Sequence, residues 1–158
     1  MRRVFVGVAT AAAAFVVVVG AAFAGHPHAT GGGTFFYGAF ERLEFQAHDF
    51  GLPAADRGMA NYENQTADLQ YKAEIVCADV EPNLVRFGYI IPDTPATRQF
   101  GIQGFHIIWQ VTDGGSPGDG NDSASYIVAA DARACDTAIV PNPGNNVFKG
   151  NFAVHEEQ

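Results

Sequence analysis

Asp113, Asp119, Asn121, Asp122 and Ser123 place five oxygen-bearing side chains within eleven positions. Calcium takes roughly six to eight oxygen ligands, and Asp119-x-Asn121-x-Ser123 has the one-three-five spacing of many calcium loops. The glycine and the bidentate glutamate that complete an EF-hand are missing, so this is no EF-hand. The same residues suit a second role. Asp and Asn side chains accept backbone N–H bonds in turns, and the intervening glycines supply positive φ. A calcium site and an Asx-rich turn therefore both stay open for residues 111–122. No cofactor is expected apart from calcium, should this loop take one.

Other groups offer less. His26 and His28, flanking Pro27, could bind copper through a freed amine and their imidazoles, or simply belong to a solvated tail. His48, His106 and His155 share no metal-ligand spacing and receive no role. Glu41 with Glu44, and Asp49 with Asp56, are carboxylate pairs that seventeen acidic residues produce by chance. No G-x-S-x-G or H-E-x-x-H is present. Gly31-Gly32-Gly33 precedes a strand rather than a helix, which argues against a phosphate loop. Phe35, Phe36, Tyr37, Phe40, Tyr62 and Trp109 could stack on sugar rings. Strand alternation sends about half of such residues inward, and adjacent Phe35 and Phe36 must face opposite ways.

The elements that must position these groups begin after residue 24. Arg2 and Arg3, the apolar run 4–20 and Ala22-Phe23-Ala24 have the layout of a signal peptide cleaved after Ala24. An uncleaved anchor is the competing reading, because the run is long enough to span a bilayer. Cleavage leaves a secreted chain of 134 residues, with seven basic residues against seventeen acidic and a net charge of −10. That charge repels nucleic acid and anionic membranes, so neither is an expected partner. Cys77 and Cys135 then suggest a structural disulfide. A reactive thiol pair is the weaker alternative, given their separation and the lack of C-x-x-C.

Residues 25–33 read as a flexible lead and 34–158 as one β domain. Period-two alternation is clear in 41–50, with Leu43, Phe45 and Ala47 on one face. It is clearest in 68–80, where Leu69, Tyr71, Ala73, Ile75 and Cys77 share the buried face. Glu81-Pro82-Asn83 is a tight turn back into 84–91, because Pro pre-sets φ and Asn tolerates the left-handed region. Further strands fall at 34–37, 59–64, 100–111, 123–130 and 147–155, the last without a bulge. No helix, no internal repeat and no second domain is read. Seven or eight strands with short connections predict a single antiparallel barrel, with a β-sandwich as alternative.

Several segments together carry a resemblance. They are Gly31-Gly-Gly-Thr34, Phe45-Gln-Ala47, Tyr71-Lys-Ala-Glu-Ile-Val-Cys77, Val80-Glu-Pro-Asn83, Val85-Arg-Phe-Gly88 and Val111-Thr-Asp-Gly-Gly-Ser-Pro-Gly118 with Asp122. Over residues 31–130 the chain resembles uncharacterised secreted bacterial β-domains with a VTDGGxPG-type loop, sometimes named post-COAP. The resemblance implies export and a β fold, with no settled activity and no assigned catalytic residues.

Three functional classes follow as expectations. The first is an exported, non-catalytic binding or structural barrel whose partner is a glycan, a cell-wall component or a protein. The second is a small-ligand barrel or a secreted protease inhibitor, since about eight strands can enclose one small ligand. The third is a hydrolase using an unrecognised carboxylate pair, which needs two carboxylates facing each other across a cleft.

Overall fold

In strand β2 (Phe40–His48), Leu43, Phe45 and Ala47 are buried while Arg42, Glu44 and Gln46 face outward, as their alternation dictates. The same rule builds β3 (Arg57–Asn64), β4 (Leu69–Glu81), β5 (Leu84–Ile90), β6 (His106–Thr112) and β7 (Ser123–Ala129). With β1 (His28–Phe36) and β8 (Asn145–His155) they close an antiparallel barrel in which each strand pairs with its neighbour in sequence and β8 pairs with β1. The computed structural model describes residues 25–115, 121–141 and 145–155. The leader read over 1–24 lies outside these residues, as does Asp119. Among the described residues no helix is long and apolar enough to cross a membrane.

The barrel interior holds one continuous core, including Phe35, Phe45, Phe87, Tyr89, Trp109 and Phe152. Its upper end carries the β1–β2, β3–β4 and β5–β6 connections, and its lower end the β2–β3, β4–β5 and β6–β7 loops. The β4–β5 turn is Pro82-Asn83, with Asn83 at φ 59 as its type allows.

Several expectations are corrected. Residues 28–33 are strand, not flexible lead, and pair with both β2 and β8. Their glycines are there because β8 crosses closely. A Cβ on Gly31 would meet Phe152 at 2.6 Å, and one on Gly33 would meet Val147 at 2.5 Å. The long strand read from residue 100 starts only at His106. Before it stands a short helix, α1 (Pro95–Gln99), that periodicity over five residues cannot reveal. Thr94 caps it, Pro95 sits in its first turn, and Gly101 and Gly104 turn the chain at φ 65 and 79. β8 does contain a bulge, since Thr34 faces Lys149 while Phe35 faces Val147.

A bulge in β4 moves Cys77 as well. The register shifts between Ile75 and Cys77, so Ala78 takes the interior and Cys77 turns outward. The Cys77–Cys135 disulfide is present, but it lies on the outer wall rather than in the barrel core. There it pins residues 130–141 as a strap across β4 to β7, over Cys77, Gly88, Ile108 and Ile127. Gly88 is the crossing point, where a Cβ would lie 1.9 Å from the Ala132 carbonyl oxygen.

The barrel also repeats itself. Asp49 and Asp56 in the β2–β3 loop correspond to Asp113 and Asp122 in the β6–β7 loop. The Asp49 amide donates to the Pro27 carbonyl just before β1, and the Asp113 amide to the Asn83 carbonyl just before β5. Asp49 Oδ1 accepts from Gly51 N and Asp113 Oδ1 from Gly115 N. Asp56 Oδ1 accepts from Phe50 N and Asp122 Oδ1 from Gly114 N. The second oxygens bridge to a strand. Asp56 and Asp49 take Ala78 N and Val80 N of β4, while Asp122 and Asp113 take Phe152 N and Val154 N of β8. Strands β1–β4 and β5–β8 are therefore two versions of one unit, each marked D-x-G-x-P in its loop (Asp49 to Pro53, Asp113 to Pro117).

The halves differ in one place. Four residues, 65–68, join β3 to β4, and these strands pair from Gly58/Ile75 to Asn64/Leu69. Fifteen residues, 130–144, join β7 to β8, and among the described residues only Ser123/Asn146 and Ala124/Asn145 pair. Upper β7 thus stands away from β8, over Tyr126 and Val128.

Candidate functional site

The parted seam coincides with a cavity of 260 Å³ at the upper end of the barrel. Tyr62, Tyr71, Tyr89 and Trp109 form its floor and wall, Tyr126 flanks it on β7, and Ile102 and Phe105 bring the α1–β6 connection to its rim. An apolar cavity of about 150 Å³ already admits benzene, so this one has room for a larger ring or short chain. Two other hollows, of 450 and 480 Å³, lie on the outer wall among charged side chains such as Arg42, Glu44 and Lys149, or Lys72 and Glu74.

Polar atoms inside the cavity are few and aligned. Trp109 Nε1–H donates to Tyr89 Oη at 2.9 Å, and the Tyr71 and Tyr89 hydroxyls share a hydrogen bond at 3.1 Å. Burial raises the pKa of both tyrosines, Tyr89 to about 12, so both stay protonated. Three protons, one N–H and two O–H, thus serve two hydrogen bonds. One hydroxyl proton is left over whichever tyrosine donates to the other. The site can offer a hydrogen bond to an acceptor atom held among rings.

Glu41 sits behind Tyr62. It is 2% exposed, faces the interior beside Phe35, and its Oε2 has no hydrogen-bond partner among the described residues. Burial pushes its carboxyl up to about 7, against the opposing hydrogen bond with Tyr62. A folded pKa above the unfolded value of 4.5 stabilises the fold below pH 4.5, and that contribution fades as pH rises to about 7. Glu41→Gln should therefore leave stability unchanged near pH 4 and raise it by about 2 kcal/mol near pH 8, read by urea denaturation, allowing for partial solvent access.

The residues singled out from sequence fall elsewhere. Asp113 and Asp122 lie at the lower end, and each spends both carboxylate oxygens on backbone amides. Asn121 and Ser123 lie beside them, Ser123 opening β7. Among the described residues no group of His, Cys, Asp and Glu stands arranged to hold a metal. Glu41 and Glu44 point to opposite faces of β2, and Asp49 and Asp56 are occupied by amides, so neither carboxylate pair faces across a cleft. Of the aromatic residues, Tyr62 and Trp109 line the cavity, Phe35 is buried and Phe36 is exposed on the opposite face. From sequence, Tyr71 stands only among the buried residues of 68–80, and Tyr89 and Tyr126 are not singled out. The signal that could have found them is their period-two placement, in phase with the core residues of β4, β5 and β7.

The histidines do meet. His28 is the register partner of both His48 and His155, and His26 Nε2 lies 2.8 Å from His48 Nδ1. Burial, together with the charges of His26, His28 and Arg57, holds the His48 pKa below its ordinary value. His106 stands apart at the upper end, its Nδ1 accepting from Ala132 N of the strap. Compared with family models, curated proteins and solved structures, the chain finds no match.

Proposed function

We propose that the protein is an exported, non-catalytic barrel that binds a small apolar molecule carrying a hydrogen-bond acceptor, such as a ring ketone, ether or phenol. The observation that carries this reading is the aromatic cavity with a spare hydroxyl proton beside Trp109. Export is supported by the leader-like residues 1–24, by the resemblance to secreted β-domains, and by a disulfide suited to oxidising compartments. A glycan, cell-wall or protein partner fits the exported class, but the cavity is the feature built to enclose something.

Trp109 is the sole tryptophan and is buried against the cavity, so its emission reports occupancy. Titration with 1-naphthol and naphthalene should shift that emission with saturation. Tyr89→Phe removes the oxygen to which both Trp109 and Tyr71 are tied, leaves the Trp109 N–H and Tyr71 O–H protons both unpaired, and should tighten 1-naphthol about fivefold while leaving naphthalene nearly unchanged. Filling the cavity with Leu69→Phe and Ile102→Phe together, which adds no second tryptophan, should abolish both signals. Emission that responds to neither probe, or equally in the filled variant, would overturn the reading.

A further inference from the structure

The lower end of the barrel holds a second feature, independent of the cavity. Four of the five histidines converge there from three paired strands and the preceding segment. Ring centroids of His28 and His155 lie 4.8 Å apart, of His26 and His48 5.0 Å, and of His28 and His48 5.7 Å. Phe50 stacks on His26 at 4.1 Å, and the Arg57 guanidinium covers Phe50 from 5.0 Å.

The repeat shows that the fold does not require these histidines. His28 opens β1 after Pro27 as Leu84 opens β5 after Asn83. His48 precedes Asp49 as Thr112 precedes Asp113. His155 follows Val154 as Glu81 follows Val80. The matching junction of β4, β5 and β6 closes its strand ends through the same aspartate bonds with glutamate, leucine and threonine in those places. The imidazoles gathered at only one of these two junctions are therefore surplus to folding.

We infer that His26, His28, His48 and His155 form a site for a divalent transition metal of the copper–zinc class. Nitrogen-only imidazole sets suit these ions, and a chain of net charge −8 attracts cations. Two nitrogens bound cis to one metal at about 2.0–2.1 Å stand roughly 2.9 Å apart. The His26 and His48 nitrogens stand 2.8 Å apart, sharing a proton. A metal replaces that proton when the rings tilt about their own side-chain bonds, with no movement of the strands. As they stand the rings are closed on each other by this hydrogen bond and are not a finished coordination sphere. His28, whose Nδ1 lies 3.3 Å from the His26 carbonyl oxygen, would turn its Nε2 to the metal, with His155 stacked beside it as the fourth ring.

The test is calorimetric titration of the untagged chain with Cu²⁺ and Zn²⁺, with electron paramagnetic resonance of the copper form. One equivalent should bind with micromolar affinity or tighter, with hyperfine splitting from at least three nitrogens. His48→Gln and His28→Gln should each weaken binding roughly tenfold or more, while His106→Gln leaves it unchanged. Near-ultraviolet circular dichroism reports whether the variants fold. Should they not, the nitrogen count in the native copper spectrum decides. No equimolar binding, coupling to fewer than two nitrogens, or undiminished binding in a folded His48→Gln variant would overturn the assignment.

Discussion

Asp122→Ala should cost about 3–5 kcal/mol in urea denaturation, enough to leave a domain of ordinary stability barely folded. The carboxylate accepts from Gly114 N on one oxygen and from Phe152 N on the other, at 2.9 and 2.7 Å. Hydrogen bonds to a charged group contribute about 1.5–3 kcal/mol each, and Phe152 N is buried, so removing the acceptor also leaves an unpaired amide behind. The position matters further because β7 and β8 share so short a ladder. On the β7 side of β8, the amides of residues 152 and 154 are held by Asp122 and Asp113, and that of Val147 by the Asp122 carbonyl. Asp56→Ala should fall in the same range, since it removes the matching bonds to Phe50 N and Ala78 N. Asp122→Asn, which keeps one acceptor oxygen, should cost about half as much. Because these oxygens already serve amides, millimolar calcium should leave the melting midpoint of the metal-free chain unmoved. A midpoint that rises with millimolar calcium would return Asp113, Asp119, Asn121, Asp122 and Ser123 to a metal-binding role.

Replacing Cys77 and Cys135 by serine should lower stability by roughly 4 kcal/mol, the chain-entropy value for a loop of 58 residues. Its signature should be local. Amide hydrogen exchange should rise first in residues 130–141 and in β7, because the strap is what covers Ile108 and Ile127 from outside. If the strap holds β7 away from β8, its release should also blunt the Trp109 response to 1-naphthol more than the loss of stability alone explains. Equal acceleration of exchange throughout the barrel would refute that local role.

The inward rows of β2 and β4 and the Pro82-Asn83 turn were legible because each depends only on neighbours in sequence. Leu43, Phe45 and Ala47 alternate with charged or polar residues, and Pro82 and Asn83 are the residues that their turn conformations favour. The outward turn of Cys77 was not legible, because a bulge is one extra residue whose place is set by the partner strand. Gly31-Gly32-Gly33 read as slack chain, since nothing local announces that Phe152 and Val147 will lie over it. Neither the cavity nor the histidine cluster is local. Tyr71, Tyr89 and Trp109 meet through the β4–β5 and β5–β6 registers, and His28, His48 and His155 through β1–β2 and β1–β8. The D-x-G-x-P repeat was present in the letters, but two short matches 64 positions apart acquire meaning only once both loops are seen to make the same bonds.

Those matched loops make the barrel an intramolecular counterpart of a symmetric dimer, two similar protomers on one chain. In a dimer of identical protomers every alteration appears twice. Here one unit retains a fully zipped β3–β4 edge while the other accommodates a long connection and an opening beside Trp109. Likewise imidazoles gather where β8 of one unit meets β1 of the other, while the matching meeting of β4 and β5 closes without them. Breaking the symmetry divides the structure in two: one half preserves the closed wall, and the other carries the parted seam beside the cavity.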